Sequence, residues 1–132
     1  GRSQFAVNLV LDASALLAFL HGESGSEAVA DSLDGALVST VNWSEVVQKA
    51  ISHGVDVRGM RDDFVGLGVT LVSLSVAQAE LLAGLWRDTH TLGLSLADRA
   101  CLSLGVVHEC PVMTADRAWA QLDMGLEVLL IR

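Results

Sequence analysis

Apolar residues in this chain cluster into short runs that alternate with longer segments of helical spacing. Ala6-Val7-Asn8-Leu9-Val10-Leu11 is β-branched and leucine-rich and ends at Asp12, which predicts a strand buried on both faces of a parallel sheet. Ser14 to Leu20 is rich in alanine and leucine, Gly22, Ser24 and Gly25 interrupt it, and a second helix is expected over about 27–33. Ala36-Leu37-Val38-Ser39 reads as a second strand. Asn42 precedes Glu45 at the spacing of a capping box, which predicts a helix running to about Ser52 with Glu45 in its first turn. A further helix over about 57–67 leads into a strand at Val69 to Leu74, and Ser75 with Gln78 opens another helix ending near Asp88. Ala97, Cys101, Leu104 and Val106 or Val107 mark one face of a helix over 96–107, with Ser95 as N-cap and Asp98 in the first turn. Pro111 to Thr114 forms a fourth strand just before Asp116, a brief helix covers 117–122, and Leu126 to Ile131 is the last strand.

Strands alternating with helices of this length imply a three-layer α/β/α domain around a mainly parallel sheet. Its 132 residues suit a single domain. The start, Gly1-Arg2-Ser3-Gln4, has neither an initiating methionine nor a signal-peptide layout and is read as a remnant or trimmed end outside the fold. Just over half the residues are hydrophobic and Pro111 is the only proline, which excludes a disordered or fibrous chain. The longest charge-free run, Phe64 to Ala79, is broken by glycines, serines and a threonine, so no membrane span is expected.

Sites in open parallel sheets lie beyond the carboxyl ends of the strands, a rule that selects Asp12 and Asp116. Glu45 and Asp98 are expected in the first turns of helices starting at the same edge, so all four acids can converge. Carboxylates about 5 Å apart repel by roughly 3 kcal/mol at an effective dielectric near 20, and a bound cation would offset this. Oxygen-only donors suit Mg²⁺ or Mn²⁺, and the matching chemistry is hydrolysis of a phosphodiester. Taken singly, Glu45 and Asp98 equally read as capping and macrodipole residues, and Asp116 as a turn or N-cap residue. Asp12 is harder to place that way, because an acid ending an apolar strand adds nothing to a core. Ser14 and Thr114, each two residues from a strand-end aspartate, serve either as N-caps or as hydroxyl donors to a carboxylate or phosphate. Arg99 and Arg117 directly follow Asp98 and Asp116, and are either solvated or within reach of RNA phosphates.

Composition adds one objection. A net charge of −8 opposes broad electrostatic attraction to nucleic acid. Four of the sixteen acids belong to the candidate site, however, and one or two divalent ions would offset two to four charges. Cys101 and Cys110 form no CxxC pair and read as reduced, buried thiols, consistent with a cytoplasmic protein. His21, His53, His90 and His108 stand singly near expected helix ends and are assigned no chemistry. Trp43, Trp86 and Trp119 read as packing residues.

Leu11-Asp12-Ala13-Ser14-Ala15-Leu16, Asn42-Trp43-Ser44-Glu45-Val46, Leu94-Ser95-Leu96-Ala97-Asp98-Arg99-Ala100 and Met113-Thr114-Ala115-Asp116 together resemble the four motifs of PIN-domain proteins. The nearest subgroup is the VapC toxins of type II toxin–antitoxin pairs. The resemblance covers nearly the whole chain and implies a Mg²⁺- or Mn²⁺-dependent endoribonuclease. Asp12, Glu45, Asp98 and Asp116 stand in the positions of the family's acidic quartet and Thr114 in its hydroxyl position. Asp12 and Asp98 are expected as direct metal ligands, Asp116 as completing the site, and Glu45 as acting partly through water. It further implies a homodimer, a cognate antitoxin, and structured RNA such as tRNA or rRNA as substrate. A basic antitoxin tail would suit the acidic cleft.

Other families fit less well. A two-component receiver needs a second acid beside Asp12 and a late lysine, whereas the single lysine is Lys49. A haloacid-dehalogenase-type phosphatase needs an aspartate where Ser14 stands, and no GxxxxGK loop is present. The alternative from a different class is a PIN-like module that binds RNA or protein without cleaving.

Overall fold

A computed structural model describes residues 8–132. Ala6 and Val7 of the first expected strand, and the end Gly1 to Gln4, lie outside the described residues. Among those described, β1 (Val10–Leu11), β2 (Leu37–Ser39), β3 (Thr70–Val72), β4 (Val112–Thr114) and β5 (Val128–Leu130) form one parallel sheet in the order β3-β2-β1-β4-β5. Val10 pairs with both Leu37 and Val112, and Leu11 with Met113, which makes β1 the central strand.

Successive residues of a strand face opposite ways, and here each face has its own core. Leu11, Val38 and Met113 pack into one layer, with α1 (Ala13–His21), α2 (Ser26–Ser32), α3 (Thr40–Ser52) and α4 (Met60–Gly66). Val10, Leu37 and Val112 face the other, with Leu85, Leu94 and Trp119 beside the buried side of α7 (Leu96–His108). Between β3 and α7 run α5 (Val76–Gly84), α6 (Trp86–Thr89) and a 3-10 turn. The architecture is therefore three-layered, as the alternation of elements implied.

The strands are shorter than the apolar runs, and the reasons are local hydrogen bonds. β3 stops at Val72 because Leu74 donates its N–H to Thr40 Oγ1 (3.4 Å) and Ser75 then caps α5. The capping box of Ser75 with Gln78 forms as expected, but the helix gives way at Leu85 to α6 instead of continuing to Asp88. The expected helix over 57–67 begins at Met60, since the Asp56 carboxylate accepts from Arg58 N–H (3.0 Å) in a turn and Gly59 has a positive φ of 79°. The brief helix after β4 is a 3-10 turn, Arg117–Gln121.

α3 starts at Thr40, with Ser39 as N-cap accepting from Val41 N–H (3.2 Å). Asn42 is thus its third residue and Glu45 lies in the second turn, not the first.

The chain proceeds from β1 outward to β2 and β3, then returns past β1 to β4 and β5. The strand order reverses between β1 and β4, so the crevice above their carboxyl ends is the topological switch point, the place where such sheets bind ligands. α1 follows β1 and α3 follows β2 at that same edge.

Helix α7 lies close to β4 because Gly105 carries no side chain there. A Cβ at Gly105 would stand 2.8 Å from Val112 Cγ1 and 3.0 Å from Leu126 Cδ1. Alanine improves helix propensity by about 1 kcal/mol, but overpacking of this kind costs about 1–3 kcal/mol. Gly105→Ala is expected to lower the urea midpoint with an unchanged m-value. A midpoint equal to or above wild type would contradict close packing of α7 on β4.

Candidate active site

The end of β1 brings a carboxylate into the switch point. Asp12 follows Leu11 directly, is only 4% exposed, and is the N-cap of α1. Its Oδ1 accepts from Ala15 N–H (2.9 Å) and from Ser14 Oγ (2.7 Å), and its Oδ2 accepts from Thr114 Oγ1 (2.5 Å). Thr114 is the last residue of β4 and is completely buried. Its Oγ1 also accepts from Asp116 N–H (3.0 Å), while Ser14 Oγ accepts from Ala115 N–H (2.9 Å) and lies 3.3 Å from Thr114 Oγ1. The two hydroxyls therefore tie the ends of β1 and β4 together through Asp12. They act as donors to the carboxylate, one of the two roles open to them from sequence.

Burial pushes the Asp12 carboxyl up to about 6, the hydrogen bonds from Thr114, Ala15 and Ser14 oppose the rise, and the negative charge of Asp98 adds to it. The hydrogen bonds only partly replace the lost hydration. A cation beside Asp12 would supply the remainder.

Asp98 is the third residue of α7. Its Oδ2 accepts from Ser95 N–H (2.9 Å) while Ser95 Oγ accepts from Asp98 N–H (3.1 Å), so it completes a capping box. The same side chain that completes the capping box also lines the cavity. Asp116 caps the following 3-10 turn through Ala118 N–H (3.0 Å) and is exposed. Glu45 is exposed on α3, with Oε1 accepting from Asn42 Nδ2 (3.2 Å).

All four acids and Ser14 line a single cavity of about 480 Å³ at the switch point. Thr114 stands behind Asp12 and does not line it. Arg99, although adjacent to Asp98, donates from Nη1 to Leu82 O (3.0 Å), and Arg117 is exposed on the 3-10 turn. Neither arginine lines the cavity; its cationic wall is Lys49. The sequence left Lys49 out of the site and read Asn42 only as the start of a helix and of a motif. Lys49 lies four residues after Glu45, a spacing that places both on one helix face. Asn42 is buried and donates from Nδ2 both to Glu45 and to Ala97 O (3.0 Å), joining α3 to α7 next to Asp98.

Every acidic donor here is an oxygen, which suits a hard divalent cation. Among the described residues, no group of three or more His, Cys, Asp or Glu side chains is spaced to hold an ion directly as it stands. An open carboxylate-lined cavity fits Mg²⁺ nonetheless, because that ion keeps several waters and uses one or two carboxylates with substrate oxygens. Cys101 and Cys110 are free and buried, and burial, then the charges of Asp12 and Asp98, hold the Cys101 thiol well above its usual range. Its chemistry is packing.

The family model described as PIN domain matches residues 9–124. No curated protein sequence matches the chain. Among solved structures, the chain is similar to a toxin–antitoxin complex from Klebsiella pneumoniae, at 18% identity and a TM-score of 0.75, over 94% of this chain and 98% of that one. It is also similar to DNA-bound VapBC from Salmonella typhimurium (10% identity, TM-score 0.73, 96% and 100% covered). A third is FitAcB from Neisseria gonorrhoeae (17% identity, TM-score 0.65, 93% and 97% covered).

The raised pKa of Asp12 makes stability depend on pH. The folded chain keeps this proton up to about pH 6, whereas the unfolded chain releases it near 3.8. The folded state binds more protons between those values, so stability falls as pH rises through that window. Asparagine keeps the shape without the charge, and its amide can donate to Thr114 Oγ1. In chelator, Asp12→Asn should be more stable than wild type at pH 8 by up to about 3 kcal/mol. That advantage should vanish near pH 4. Urea denaturation at both pH values checks it, and an equal difference at the two would refute a buried, uncompensated charge.

Proposed function

The chain belongs to the PIN domain family, and on that premise we propose that it is a Mg²⁺- or Mn²⁺-dependent endoribonuclease of the VapC toxin type, restrained by a cognate antitoxin. PIN domains are in general nucleases and usually use divalent metals. The observation that carries the reading is the convergence of Asp12, Glu45, Asp98 and Asp116 on one cavity above the carboxyl ends of β1 and β4.

Asp12 and Asp98 would hold the cation and Asp116 would complete its surroundings, while Glu45 would act partly through water, either as an outer-shell ligand or by orienting the nucleophile. The chemistry such an ion would supply is polarisation of the phosphodiester and a more acidic attacking water. Thr114 and Ser14 fix the Asp12 carboxylate so that its charge meets the ion without rearrangement. Asn42 sets Glu45 against α7, so the distance between Glu45 and Asp98 is held by two helices instead of by a flexible side chain. The substrate is structured RNA such as tRNA or rRNA, with an unpaired segment accessible to the cavity.

The toxin role is supported by the PIN assignment and by likeness in fold to a toxin–antitoxin complex and to DNA-bound VapBC, and a cytoplasmic location goes with that role. The antitoxin is expected to seal this acidic cavity with a basic side chain. The active form is expected to be a homodimer. Among the described residues no helix is long and apolar enough to cross a membrane.

Purified protein incubated with total RNA should cleave it with Mg²⁺ or Mn²⁺ and stop in chelator. Asp12→Asn and Asp98→Asn should each lower the rate by more than about a hundredfold, with both variants folded by circular dichroism. Cleavage that persists in chelator, or that survives either substitution, would overturn the mechanism. RNA binding without cleavage would instead identify a non-catalytic module.

A further inference from the structure

One stripe of α3 faces the cavity. Glu45, Gln48, Lys49 and Ser52 all line it, at the three- and four-residue spacing of a single helix face. The stripe extends about 10 Å from the acids toward the end of the helix, at 1.5 Å per residue. Lys49 is the only lysine of the chain and the only cationic side chain in this wall.

A glutamate four residues before a lysine is the favoured order for a helical ion pair, yet Lys49 forms no ion pair with any described residue. Glu45 has another partner. Asn42, buried between α3 and α7, takes Oε1 of Glu45, and the Lys49 ammonium is left exposed at the cavity. The Gln48 amide is likewise exposed and makes no hydrogen bond to a described residue. The cavity therefore has two ends, with carboxylates at the sheet edge and a single unpaired ammonium one helical turn along α3.

We propose that Lys49 binds a backbone phosphate of the RNA next to the one being cleaved, with Gln48 beside it as a neutral donor, and so positions the strand across the acids. This rests on the nuclease reading. Lys49 does not take part in the bond-breaking step. It supplies the cationic contact that Arg99, turned to Leu82, does not provide. A compact ammonium on a flexible stem suits a backbone phosphate and reads no base, so the contact should act alike on all sequences.

The test uses the full chain and a single-stranded RNA oligonucleotide. Binding is measured against salt concentration in the cleavage-impaired Asp98→Asn background, and turnover in the otherwise wild-type chain. Lys49→Ala should reduce the slope of log K against log salt by about 0.7, the value for one phosphate contact to a single strand. It should also raise KM about tenfold, with a smaller change in kcat. Lys49→Arg should restore the slope, and Lys49→Glu should weaken binding further. An unchanged slope and KM in an active enzyme would overturn the proposal. So would a Lys49→Ala variant that only tightens Mg²⁺ binding, which would make the lysine a counter-ion to the acids. A wild-type chain without metal-dependent cleavage defeats the nuclease reading separately, since the binding arm needs no turnover.

Discussion

A carboxylate held out of water at the carboxyl end of the central strand is the constraint around which this structure is organised. Asp12 is almost fully buried, and its charge would be intolerable in the apolar layer just below it, where Leu11 is completely enclosed. What keeps it there is a set of donors from three places: the first turn of α1, the Ser14 hydroxyl, and Thr114 at the end of the neighbouring strand. Because Thr114 also accepts from the backbone N–H of Asp116 and Ser14 from that of Ala115, the loop after β4 is shaped by the same group. The carboxylate thereby fixes two strand ends, one helix start and the position of a second acid.

The other acids are set by helices, and this divides the labour in the site. Asp98 is locked by its own capping box, so its position follows from where α7 begins. Glu45 is further from its helix start and depends on Asn42, whose amide reaches both Glu45 and the backbone of Ala97. The Asn42 Oδ1 atom is buried without a partner, a penalty of about 1–3 kcal/mol for an acceptor of this kind. Retaining it is reasonable only if the link between α3 and α7 matters more than the lost hydrogen bond.

Much of this arrangement was legible in the sequence, for definable reasons. Apolar runs ending in Asp12 and just before Asp116 marked two strand ends, because parallel strands are buried on both faces and show as continuous runs. Ser95 with Asp98 forms the expected capping box. The same logic misplaced Glu45: Asn42-x-x-Glu45 has capping-box spacing, but Ser39 captures the helix start three residues earlier, and the identical spacing becomes a side-chain bond inside α3. Spacing alone does not distinguish the two. Arg99 does not line the cavity because neighbours on a helix diverge by about 100°, so adjacency to Asp98 places it on another face, against Leu82. Lys49 was available from helical periodicity relative to Glu45, but the direction of that face depends on packing against α1 and α7, which no local pattern encodes.

The net charge of −8 takes on a different meaning once the cavity is known. Among the described residues, Arg58 pairs with Asp56 and Arg132 with Glu23, and Arg99 is held by a carbonyl. Among the described residues, Arg61, Arg87, Arg117 and Lys49 are exposed without an ion pair, too few to offset the acids, and the carboxylates would repel a phosphate that approached without a cation. On the nuclease reading, then, encounter is weak and selective, because screening at physiological salt confines these fields to about 8 Å. On that reading, only an RNA segment flexible enough to enter the cavity would reach both a divalent ion at the acids and the Lys49 ammonium. In a chain this acidic, affinity has to be local, so the shape of the cavity, more than the charge of the whole surface, decides what is bound.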